Sequence, residues 1–108
     1  MKEVILKLYD LANIKDWKPW ELQTELKKIY EDTIAVGDDL SFTVKLKKDL
    51  KPVGLEDFGG KKCKMHPFRT AWRFDSGFIA FEGKFLRISR KIDKNLLSDI
   101  LELILPED

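Results

Sequence analysis

The sequence predicts an α+β domain, with an antiparallel sheet of four or five strands that includes a C-terminal three-stranded meander, two N-terminal helices and one C-terminal helix. Three observations predict it. Apolar residues recur at helical spacing in residues 3–13, 17–30 and 94–105, and at period two in residues 40–47. Two tight-turn triplets, Asp75-Ser76-Gly77 and Glu82-Gly83-Lys84, divide the aromatic-rich stretch 70–89 into three short strands. A length of 108 residues, 44% of them hydrophobic, suits a single domain over residues 1–108 with one core.

Taken in order, Ile5, Leu8, Leu11 and Ala12 form a helical stripe, and Glu3 precedes Lys7 by four, the favourable order for a helical ion pair. Val4, Leu6 and Leu8 also alternate as a strand would; helix is the reading adopted. Asp16 can cap a second helix that begins at Trp17, with Pro19 in its first turn, where a missing N–H costs nothing. Leu22, Leu26, Ile29 and Tyr30 share one face of it, and Trp17 and Trp20 are expected to lock its start into the core. Gly37-Asp38-Asp39 reads as a turn. Leu40, Phe42, Val44 and Leu46 then alternate with Ser41, Thr43, Lys45 and Lys47, the pattern of a half-buried strand. Residues 48–66 hold Pro52, Gly54, Gly59 and Gly60 and little periodicity. So long a connection is functional, mobile, or contains a short unmarked element, for which Lys61–Met65 is the candidate edge strand. After the meander, Asp93 caps a last helix over 94–105, which Pro106 stops.

Charge is unevenly distributed. The net charge of +1 divides into −3 over residues 1–44, +8 over 45–94 and −4 over 95–108. A basic middle between acidic ends suits a polyanionic partner, or pairing between opposite faces of the fold. Charged residues make up 36% of the chain and its amides are confined to Asn13, Gln23 and Asn95, a composition typical of hot-living sources. The single Cys63 excludes an internal disulfide and fits a reducing cytoplasm. No apolar run reaches the roughly 20 residues that span a bilayer, so no membrane partner is expected. The acids Glu3 and Asp10 and the lack of a small-residue cleavage site speak against a signal peptide.

All four arginines (Arg69, Arg73, Arg87 and Arg90) lie within residues 69–91, whereas the 16 lysines are spread along the chain. Strand parity gives that clustering a meaning. With Ser76-Gly77 as the first turn, Phe74 faces Ile79 and Trp72 faces Phe81. One face then holds Trp72, Phe74, Ile79, Phe81, Leu86 and Ile88, the core side. The other holds Arg73, Asp75, Phe78, Ala80, Phe85 and Arg87, with Arg69 and Arg90 at strand ends. Rings that stack bases beside cations that hold phosphates are how single-stranded RNA and DNA are bound. The predicted binding set is therefore Phe78, Phe85, Arg69, Arg73, Arg87 and Arg90, with Lys61, Lys62 and Lys64 from a basic glycine-containing loop. The competing expectation buries Phe78 and Phe85 and pairs Arg73 and Arg87 with Asp75 and Glu82.

Motifs of catalysis are not found, and no enzyme, metal or cofactor is expected. The run Gly54-Leu55-Glu56-Asp57-Phe58-Gly59 starts like a phosphate loop, but Gly60 stands at the lysine position, and Lys61 is followed by Lys62 and not by Ser or Thr. Cys63 and His66 cannot by themselves close a zinc site. In the last helix, seven of the ten residues 96–105 are apolar, too many for one stripe. It is either enclosed on most sides or docks another chain through Leu97, Leu101, Ile104 and Leu105, in a homodimer or larger assembly.

Overall fold

A computed structural model describes residues 1–37 and 40–107, and the expected Asp38-Asp39 turn lies outside them. The chain runs α1 (Lys2–Ala12), α2 (Pro19–Ile29), β1 (Thr33–Val36), β2 (Ser41–Lys45), a 3-10 turn (Glu56–Phe58), β3 (Lys61–Met65), β4 (Phe68–Phe74), β5 (Gly77–Glu82), β6 (Phe85–Ser89) and α3 (Lys94–Ile104). The strands form one antiparallel six-stranded sheet in the order β1-β2-β6-β5-β4-β3. The α+β class, the helices and the meander are as the sequence predicts. β1 enlarges the sheet by a strand that carries no clear alternation, since only Thr33 of its four residues is buried.

The core lies on one side of the sheet. Phe42 and Val44 of β2 join Trp72, Phe74, Ile79, Phe81, Leu86 and Ile88 beneath residues of all three helices. The meander keeps the expected parity and slips in register. Trp72 faces Ile79 and Phe74 faces Gly77, so the turn is Asp75-Ser76. A slip of two residues leaves every side chain on its expected face, whereas a slip of one would have inverted the sheet. Glu82 faces Phe85 across the second turn, where Gly83 takes φ +57°, a conformation open to glycine.

Helix α2 starts two residues later than predicted. Lys18 is its N-cap, Pro19 occupies the first turn, and the Glu21 carboxylate accepts from the Lys18 N–H at 3.3 Å. Trp17 stays outside the helix and donates its Nε1–H to the Leu11 carbonyl at 2.9 Å. It packs on the core as expected; Trp20 does not, and is 68% exposed.

The long connection is a cover over the core. Leu46, Leu50 and Leu55 are buried, and the Leu50 and Lys51 N–H groups donate to Gly83 and Ile104 at 2.7 and 2.8 Å. Gly60 lies against Phe74, where a Cβ would come within 2.9 Å of the ring. Lys61–Met65 is the edge strand β3, so its lysines belong to a strand and not to a loop.

Helix α3 packs one apolar face against its own chain and leaves Leu103 exposed. Leu97, Ile100, Leu101 and Ile104 lie fully in the core, and Leu105 is half-buried. Lys2–Glu102 and Lys94–Asp10 ion pairs, at 2.7 and 2.8 Å, link α1 to its two ends. The expected docking stripe is thereby largely used up. At its start, Asp93 accepts from the Leu96 N–H at 2.9 Å, as the sequence predicts. Asp93→Ala is expected to lower stability by about 1 kcal/mol, read as a shifted urea midpoint at constant slope.

Candidate functional site

The second face of the sheet contributes nothing to that core cluster. Its side chains follow from the strand registers. One row across the sheet runs Ile34, Thr43, Arg87, Ala80, Ala71 and Cys63. A second holds Lys45, Phe85 and Glu82, and a third Phe78, Arg73 and Lys61. The alanines at the centre are fully covered by their taller neighbours, while Ile34 and Phe85 stand exposed, Phe85 at 45%.

The cations are arranged around rings. The Arg87 guanidinium lies 5.8 Å from the Phe78 ring centroid, and its Nε–H donates to the Ser41 hydroxyl at 3.0 Å. Lys45 holds its ammonium 5.9 Å from the Phe85 centroid. The backbone under Lys45 is itself anchored, since the Tyr30 hydroxyl donates to the Lys45 carbonyl at 2.9 Å. Burial, and after it the Asp32 carboxylate, raise the Tyr30 pKa above its ordinary value.

At the Phe85 end of the sheet, the β3–β4 hairpin forms the wall of a groove of about 680 Å³. The groove is lined mainly by Ile34, Pro67, Phe68 and Phe85, with Thr43, Glu82, Lys84 and Arg87 as its polar side chains. The His66–Pro67 peptide at the hairpin tip is cis, and the register shifts between Cys63 and Met65. Glu82 is clamped by one residue: Arg69 Nε lies 2.9 Å from Oε1, and the Arg69 backbone N–H donates to Oε2 at 3.0 Å. Mostly apolar walls with a few convergent polar groups are the usual make-up of a ligand site.

The structure therefore brings some of the predicted residues together and separates others. Phe85 and Arg87 line the groove, and Arg73 and Lys61 continue the open face beside it. Arg69 reaches the groove only through Glu82. Lys62 pairs with Trp72, which assigns it by parity to the helix side, and Lys64 falls in the irregular part of β3. Phe78 is 9% exposed beneath Arg87, and Arg90 is 5% exposed at the opposite end of β6. Neither is available for stacking or phosphate contact. Sequence reasoning missed Ile34, because β1 went unrecognised, and Pro67-Phe68, whose place beside the predicted basic segment was the available signal. Among the described residues no trio of His, Cys, Asp or Glu gathers as a metal site, and no helix is long and apolar enough to cross a membrane.

Compared with known proteins, the chain is 71% identical to an uncharacterized protein of Archaeoglobus fulgidus over 108 residues, the full length of both. No family model and no solved structure matches it.

Proposed function

The chain belongs to one family with the uncharacterized Archaeoglobus fulgidus protein, and from the make-up of its open sheet face we propose that it is a small non-catalytic nucleic-acid-binding module of the cytoplasm, taking single-stranded RNA or DNA on that face. One observation carries the reading: a helix-free sheet face presents the exposed Phe85 ring in an apolar groove flanked by Lys45, Lys84 and Arg87. An aromatic surface stacks bases of any sequence, and fixed cations beside it neutralise the linking phosphates. Arg73 and Lys61, adjacent on β4 and β3, extend the positive track across the sheet. The +8 balance of residues 45–94 supports the same class of ligand. Docking through α3 is the weaker alternative, because three of its four candidate residues are core.

The test is fluorescence anisotropy of labelled single-stranded oligonucleotides at two salt concentrations. Micromolar or tighter binding is expected. If three or four phosphates are neutralised, affinity falls roughly 20- to 50-fold between about 50 and 200 mM salt. No binding at the lower salt rejects the reading.

A further inference from the structure

Among the described residues Glu82 is the only acid that lines the groove, and a carboxylate facing a polyanion needs an explanation. Its clamp provides one. Arg69, itself 88% exposed, places its guanidinium on one oxygen and its backbone N–H on the other, which pairs the charge and orients the carboxylate. Each carboxylate oxygen has two acceptor sites, so one on each remains. The side chain is 36% exposed and can use them. On the neighbouring strand Arg87 also lines the groove, with its Nε–H on the Ser41 hydroxyl and its guanidinium 5.8 Å from the Phe78 ring centroid.

We infer that this groove reads one base of a single strand, and that Glu82 makes it favour bases bearing an exocyclic amine (adenine, cytosine or guanine) over uracil and thymine. The inference rests on the nucleic-acid reading above. A base stacked on Phe85 turns its polar edge to the groove wall, and an exocyclic amine donates to a carboxylate. Uracil and thymine offer a single ring N–H between two carbonyls, which repel the same oxygens. Arg69 is a positioning residue here: it allows an acceptor without an uncompensated negative charge.

Anisotropy titrations of the full chain with ten-nucleotide oligo-dA, oligo-dC and oligo-dT at one low salt concentration test it. Oligo-dA and oligo-dC are expected to bind about 5- to 10-fold tighter than oligo-dT, a ratio within the range of one specific base contact. Glu82→Gln, which exchanges one acceptor for a donor, is expected to bring the ratio close to one. A structural role for Glu82 alone would change all three affinities equally. Equal binding of the three by the unaltered chain, or preference for oligo-dT, overturns the base preference and leaves nucleic-acid binding standing. No binding of any oligonucleotide overturns both.

Discussion

Phe81→Ala is expected to lower the unfolding free energy by about 3–5 kcal/mol, the range for deleting a fully buried phenylalanine. Phe81 is 2% exposed, faces Thr70 and Leu86 on the neighbouring strands, and points into the cluster shared with the helices. The loss has two sources, the transfer of the ring's apolar surface to water and the cavity left where packed neighbours cannot close in. A domain of this size is stable by only about 5–15 kcal/mol, so the loss is a large fraction of the total. Urea unfolding followed by circular dichroism measures it, with the midpoint falling at constant slope. A loss below about 1 kcal/mol would mean that the ring is not packed as described.

Phe85→Ala, four residues on, is expected to behave in the opposite way. Its ring is 45% exposed and outside the core cluster, so stability should fall by only about 1 kcal/mol. Affinity for a single-stranded oligonucleotide should fall by roughly 5- to 150-fold, the span of one base–aromatic stacking contact. The salt dependence should stay the same, because no phosphate contact is removed. The two readouts separate the alternatives. A stability loss like that of Phe81→Ala would make Phe85 a core residue, and an unchanged affinity would remove it from the binding face.

These two phenylalanines also show where sequence reasoning holds. Alternation within each strand, carried across the tight turns, assigns Phe81 and Phe85 to opposite faces, and the two-residue register slip at Asp75-Ser76 leaves every side chain on its expected face. Helix spacing and the Asp93 cap were equally local signals, and the structure keeps them. Pro19 at the first helical position sets the start of α2, two residues after the start that an Asp16 cap would give.

The site was only half legible. Phe85 and Arg87 could be named from parity. That Arg69 is spent on Glu82, that Arg87 covers Phe78, and that Arg90 is buried at the far end of β6 depend on which strands lie side by side. The same holds for Ile34, which enters the groove from a strand early in the chain, and for Pro67 and Phe68, which wall it because the β3–β4 hairpin ends beside the β5–β6 turn. Helix α3 makes the point from the core side: its excess of leucine and isoleucine fits enclosure and docking equally well until α1 is seen packed along it. Periodicity, caps and turns act over a few residues, so the chain's order alone settles element type and the inward face. Pairing of charges, exposure of a given ring and the shape of a groove arise between residues far apart in the chain, and only the packing of strands and helices against one another decides them.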